Sequence, residues 1–239
     1  MSDSKAHDST IRTYVLRSGR MTEAQGRALE GLWPRYGIEF DPSRNLDIAS
    51  SFGNDNPTVA EIGFGMGMAT WKIALDNPSI NYLGFEVHAP GVGKLLAELD
   101  SRGIGNVRII SYDAVEAFER MIAPGSFAGI HVFYPDPWPK KRHHKRRLIR
   151  DGLAELLASR LVPGGYFYFV TDIEDYATWA LDVLARTAGL RNRYKAFAPR
   201  QAWRPETKFE AHAARDGRGL WELIFERAYD HSKNDDSLR

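Results

Sequence analysis

The 239-residue chain contains no cysteine. Disulfides, thiolate zinc sites, iron–sulfur clusters and a cysteine nucleophile are excluded with it, and the absence fits a reducing, cytoplasmic setting. No stretch approaches the ~18 consecutive apolar residues of a membrane-spanning helix, so no membrane partner is expected. Met1 to Thr10 is small, polar and charged, without the apolar core of a secretory signal. An excess of one charge is lacking too. Lys and Arg number 32 against 31 Asp and Glu, a formal net charge of +1. A nucleic-acid partner would have to be attracted by a local patch, because the global field does not supply it.

The remainder is ordinary for a globular protein, with 43% hydrophobic and 26% charged residues. The length suits one sizeable domain with additions. Residues 1–11 and 229–239 are read as disordered tails, 12–56 as an N-terminal extension and 57–228 as the main domain. In the extension, Thr22 and Gln25 form a capping box ahead of Ala24, Ala28, Leu29 and Leu32 at helical spacing. Pro34 is expected to close that helix.

From Thr58 onward, short apolar runs alternate with helical patterns. Strands are expected at Thr58–Ile62, Ile80–Glu86, Val107–Ser111, Ile130–Tyr134 and Tyr166–Thr171. Helices are expected at Gly67–Leu75, Val92–Leu99, Ala114–Met121, about His144–Arg160 and Tyr176–Ala188. Leu220–Glu226 reads as an antiparallel edge strand. The sum is a doubly wound α/β sheet, with ligands expected at the carboxyl ends of its strands.

The first strand runs into Glu61-Ile62-Gly63-Phe64-Gly65-Met66-Gly67. Glycines there let the chain turn tightly and approach a ligand. The dinucleotide fingerprint would want another glycine at position 68, which is Met68. Glu86 ends the second strand, where a carboxylate can accept two ribose hydroxyls. Asp113 follows the third strand, where it can meet an exocyclic amine. Glu61, beside the glycines, would repel a diphosphate and welcome a sulfonium or amino group. The set Glu61, Gly63, Gly65, Glu86 and Asp113 therefore favours S-adenosylmethionine over NAD.

The fourth strand ends in Phe133-Tyr134-Pro135-Asp136-Pro137-Trp138-Pro139, whose three prolines stiffen the chain and place Asp136 at the cleft mouth. Lys140 to Arg150 follows, with seven lysines and arginines in eleven residues. Such a run is commonly a solvated face, but behind an active-site strand it can neutralise phosphates. His143 and His144 have no acid beside them and make a poor metal site, so no metal is expected.

These residues resemble the bacterial tRNA (guanine-N7-)-methyltransferase family. The match rests on the glycine loop, Gly84-Phe85-Glu86-Val87, Phe133 through the prolines to His143, Thr171-Asp172, Thr207-Lys208-Phe209-Glu210, and Arg17 to Thr22, and covers about Arg12 to Arg227. The resemblance implies a Rossmann-like class I S-adenosylmethionine-dependent methyltransferase acting on the variable-loop guanine at tRNA position forty-six. It implies cofactor contacts at Glu61, Glu86, Asp113 and Asp136, with Asp136 catalytic. Substrate contacts are implied at Lys140, Asp172, Thr207, Lys208, Phe209 and Glu210, and RNA contacts at Arg142, His143, His144, Lys145, Arg146 and Arg147.

Other readings stay open on sequence alone. A methyltransferase acting on an exocyclic amine would carry a segment similar to Asp136-Pro137-Trp138, and a non-catalytic RNA-binding module would keep the basic run. Asp172 can cap the following helix, Thr207 to Glu210 can be a loop-to-strand junction, and Trp138, Trp203 and Trp221 suit packing, with Trp138 the first candidate of the three for stacking on a base. Asp136, Asp172 and Glu210 share the tasks of charge stabilisation and guanine reading without a division between them. Monomer and homodimer are both compatible.

Overall fold

The computed structural model describes residues 12–15 and 19–229. The expectations for 1–11, for the 230–239 part of the second tail, and for Arg17 and Ser18 of the opening motif lie outside them.

Five parallel strands form the sheet's first part: β1 (Thr58–Ile62), β2 (Asn81–Phe85), β3 (Val107–Ile110), β4 (Phe127–Phe133) and β5 (Leu161–Thr171). β1 and β2 are buried along their whole length, as near-continuous apolar runs covered on both faces require. Two further strands, β6 (Leu190–Asn192) and β7 (Trp221–Arg227), complete the order β3-β2-β1-β4-β5-β7-β6. The expected antiparallel strand is β7, which runs against β5. It is not itself the rim, because the three-residue β6 pairs along its far side.

Helices α1 (Glu23–Tyr36), α3 (Met68–Asp76) and α4 (Ala89–Ser101) cover one face, and α5 (Ala114–Arg120), α6 (Asp151–Arg160) and α7 (Glu174–Arg186) cover the other. The extension also holds a short α2 (Ile48–Phe52), capped by Asp47, beyond the one helix expected there. The extension is part of the same core. Tyr36 is fully buried, the Gly37 backbone bridges Ile109, and α1 lies so close to α4 that a Cβ at Gly93 would meet the Gln25 carbonyl at 2.4 Å. The capping box of Thr22 and Gln25 is formed. Pro34, however, sits inside α1, which continues to Tyr36 and ends at Gly37.

Two boundaries differ most from expectation. The helix expected from His144 starts at Asp151, and Lys141–Arg146 form a separate 3-10 turn. Between them Leu148 and Ile149 are buried and Arg150 is extended, so tertiary packing overrides local helical preference. β5 starts at Leu161 and carries Gly164 and Gly165 through an irregularity opposite Phe127 and Gly129. No helix among the described residues is long and apolar enough to cross a membrane.

Candidate active site

The glycine loop leaves β1 with left-handed backbone at Gly63, Gly65 and Gly67 (φ 73°, 58° and 72°). Gly67 is required twice over. It caps α3 in that conformation, and a Cβ there would sit 2.7 Å from Leu95 on α4. At Gly63 and Gly65 an added Cβ would meet nothing within 4 Å, so the loop opens onto free space.

Three carboxylates stand at or near the carboxyl ends of the neighbouring strands β1, β2 and β3, and one of them, Glu86, is bonded to the loop. Glu86 accepts the amides of Gly65 (2.8 Å), Val87 (2.7 Å) and His88 (2.9 Å). A carboxylate has about four acceptor sites, so Glu86 fixes the loop and keeps capacity for a further donor. Asp113 caps α5 by accepting the amides of Val115 (2.8 Å) and Glu116 (3.4 Å). Burial raises its pKa in spite of those bonds. Glu61 is 3% exposed. Burial pushes its carboxyl up to about 7, Thr70 pulls the other way, and the Glu86 charge adds to the rise. No cation among the described residues offsets that cost. These are the surroundings a positively charged ligand would complete, and the acid set with its open glycine loop fits an adenosyl sulfonium.

Residues 12–15 lie across the same mouth. The Val15 amide donates to Asp136 Oδ2 (3.0 Å), Trp138 Nε1 donates to the Thr13 carbonyl (3.1 Å), and the Tyr14 hydroxyl bonds Asp113. Asp136 itself is flanked by two non-glycine residues with left-handed backbone, Tyr134 (φ 53°) and Trp138 (φ 44°). That conformation costs about 1 kcal/mol or more at each. It persists because both are held: the Tyr134 amide donates to the Val170 carbonyl (2.8 Å), and Trp138 is buried beneath the Arg146 guanidinium. Trp138 is thus a packing residue.

On the other side of β4, Asp172, Asp175, Glu210 and Glu222 each have an arginine partner. Asp172 does not cap α7. It accepts from Arg218, while Thr171 Oγ1 accepts the Ile173 amide. Thr207 to Glu210 is no strand junction: Thr207 caps α8 (Lys208–Arg215), accepting the Glu210 amide at 3.3 Å. Lys208 and Phe209 are exposed, and Phe209 stacks on Tyr134 with ring centres 5.5 Å apart. Glu210 is 7% exposed, and its two oxygens are taken by Arg200 (2.7 Å) and Arg204 (2.9 Å).

The basic run divides. Lys140, Lys141, Arg142 and Lys145 are exposed, and His143 and His144 are half-buried. Arg146 donates to the Arg12 carbonyl (3.1 Å) and caps Trp138. Arg147 departs from the expectation of an RNA contact, because its side chain is fully buried. It donates to the Pro137 carbonyl (3.0 Å) and to Asp175, and lies over Tyr176 and Trp179. A guanidinium with these partners holds the proline segment onto α7 and offers no phosphate an approach.

A family model described as "Putative methyltransferase" matches residues 55–223. The tRNA (guanine-N(7)-)-methyltransferase of Bordetella pertussis is 52% identical over 218 residues, 91% of this chain and 85% of that protein. The enzyme of the same name from Thiobacillus denitrificans is 52% identical over 217 residues, covering 91% and 95%. This chain belongs to the tRNA (guanine-N7)-methyltransferase family. Its fold is shared with a solved 16S rRNA (adenine(1408)-N(1))-methyltransferase from Catenulisporales acidiphilia, at a TM-score of 0.56 and 14% identity, over 81% of this chain and 94% of that one. Against the family's expected residues, the site adds Arg204, Arg218 and the backbone of residues 12–15. Nothing in a bare sequence distinguishes these arginines from solvated ones. The one available signal was the presence of acids without neighbouring cations, and it pointed only to the cofactor side.

Proposed function

We propose that this chain transfers the methyl group of S-adenosylmethionine to N7 of a guanine in tRNA, and that the guanine is the variable-loop one at position forty-six. The observation that carries the reading is an asymmetry about β4. On one side, Glu61, Glu86 and Asp113 stand at or near the ends of the strands beside an open glycine loop, and among the described residues no cationic side chain is hydrogen-bonded to them, the Arg12 charge acting on Asp113 alone. On the other, an exposed cationic rim of Lys140, Lys141, Arg142 and Lys145 begins directly behind Asp136. The relatives' shared name supports the choice of atom and RNA.

When bound, S-adenosylmethionine supplies a methyl group on a sulfonium. Glu61, Glu86, Asp113 and Asp136 hold that donor, with Gly63 and Gly65 giving it room. Guanine N7 already carries a lone pair and no proton, so the protein needs no strong general base. It needs to hold N7 in line with the methyl at near-attack distance. Positive charge grows on the purine as the bond forms, and the fixed Asp136 carboxylate stabilises it. Asp172 and Thr207 bound the guanine site with Lys140 and Lys208, and Phe209 offers an exposed ring face to the base. Glu210, doubly paired with arginine, acts as a support for that wall. Arg142, His143, His144 and Lys145 meet phosphates. The deep groove of A-form RNA excludes side chains, so the base is taken from a loop or extruded.

The test uses two transcripts of one tRNA, identical except for guanine or adenine at position forty-six, with methyl-labelled cofactor. Label on the first alone is expected. Equal label on both would remove the positional claim.

A further inference from the structure

Arg204 lies in the segment between β6 and α8, yet it is wholly buried. Its guanidinium donates to Tyr168 Oη (3.1 Å), Glu210 Oε2 (2.9 Å), Glu222 Oε1 (2.8 Å) and Tyr134 Oη (3.4 Å). Those four partners come from four different places: β5, α8, β7 and the exit of β4. Arg200 binds the remaining oxygen of Glu210 and donates to the Arg204 carbonyl (3.1 Å). The second oxygen of Glu222 accepts from the Tyr168 hydroxyl and from the Gln201 amide (3.2 Å). The cluster is electrically balanced, with two guanidinium groups and two carboxylates.

Anchoring a loop does not require such a cluster. Apolar residues of similar volume usually anchor at least as well, because buried ion pairs carry a large desolvation cost. A forked guanidinium adds direction, since its donors point along fixed lines. Two of those lines matter here. One ends on Tyr134, whose left-handed backbone stands two residues before Asp136. The other ends on Glu210, next to Phe209, and Phe209 stacks back on Tyr134. Thr207, which starts α8, also bonds the Tyr134 hydroxyl.

We propose that Arg204 is a positioning residue for methyl transfer: it fixes the Tyr134 end of the reaction loop and the first turn of α8 relative to each other. Arg204 touches neither donor nor guanine. Its effect passes through Tyr134 to Asp136, and through Glu210 to Phe209. This rests on the function proposed above. Misplacing a reacting group by about 1 Å can cost on the order of a hundredfold in rate.

The experiment compares wild type with Arg204→Lys, Arg204→Met, Tyr134→Phe and the Arg204→Lys/Tyr134→Phe double variant. Turnover on tRNA is measured beside equilibrium binding of S-adenosylmethionine and of tRNA. Arg204→Lys keeps the charge and removes the fork, so it decides the matter should Arg204→Met not fold. The expected result is a kcat lowered roughly ten- to a hundredfold in Arg204→Lys, with both affinities within about twofold of wild type. Tyr134→Phe lowers kcat as well, and the double variant is no worse than the poorer single one, as residues acting through one contact require. Wild-type kcat in Arg204→Lys overturns the proposal. So does a loss of cofactor affinity matching the loss of turnover, which marks a purely structural role. Wild-type protein that leaves tRNA guanine unmethylated overturns the function reading itself, a result distinct from either.

Discussion

The two halves of the sheet treat acidic side chains in opposite ways. Around β1 to β3, Glu86 and Asp113 accept backbone amides, and Glu61 is buried with no cation beside it among the described residues. Around β5 to β7, Asp172, Asp175, Glu210 and Glu222 are each paired with arginine. The first half is left electrically incomplete, which stores a demand for a cation. The second half is neutralised internally, so its exposed lysines and arginines remain available to an anion. Under the proposed function, a cationic donor and an anionic RNA are thus brought to one seam, at Asp136, without the acids of the first half repelling the RNA.

The largest effect expected from disturbing this contrast is at the seam. Asp136→Ala should lower kcat by about two to three orders of magnitude, the scale of one lost preorganised electrostatic contact. tRNA affinity, measured by filter binding, should stay close to wild type. A variant with unimpaired turnover would show that the seam is elsewhere.

Glu61→Gln probes the incomplete half. A carboxyl held at about 7 against an ordinary 4.5 favours the protonated native state. The native state therefore binds more protons than the unfolded chain between those values, and stability falls as pH rises from about 4.5 to 7. Above pH 7 the carboxylate costs about 3 kcal/mol. Denaturant unfolding should show Glu61→Gln more stable than wild type at pH 8 and equal to it near pH 4, with weakened binding of S-adenosylmethionine. Parallel stability curves for the two proteins across this range would remove the argument.

The basic run should split into two behaviours. Arg147→Ala removes buried contacts to Pro137, Asp175 and two aromatic rings, and should cost about 2–3 kcal/mol of stability. Arg142→Ala with Lys145→Ala should change stability by less than about 0.5 kcal/mol at each site. Its effect lies in tRNA binding, where the logarithmic salt slope should shrink by about 1.5–2 for two lost phosphate contacts. Equal stability losses in the two variants would merge the classes again.

The same contrast sets what was legible in the sequence. The glycine loop, Glu61, Glu86, Asp113 and the first five strands follow from local rules: tight turns, apolar runs and acids at strand ends. The second half depends on long-range pairings. Whether Arg147 faces RNA or packs under Pro137 is decided by Tyr176 and Trp179, some thirty residues on. The helix expected at His144 breaks because Leu148 and Ile149 are drawn into the core. α8 is hard to foresee because it is only eight residues long and polar overall, and is held by one cap, Thr207, and by the buried pairs of Glu210. β6 is three residues long and exists only as a partner to β7.

The central claim is that a sulfonium donor and a tRNA guanine meet at Asp136. The most direct measurement incubates the purified protein with methyl-labelled S-adenosylmethionine and unmodified tRNA, then digests the RNA to nucleosides. Label recovered as 7-methylguanosine, and missing with Asp136→Ala, is the predicted result. Label on an exocyclic amine, or tight tRNA binding with no label at all, would contradict it.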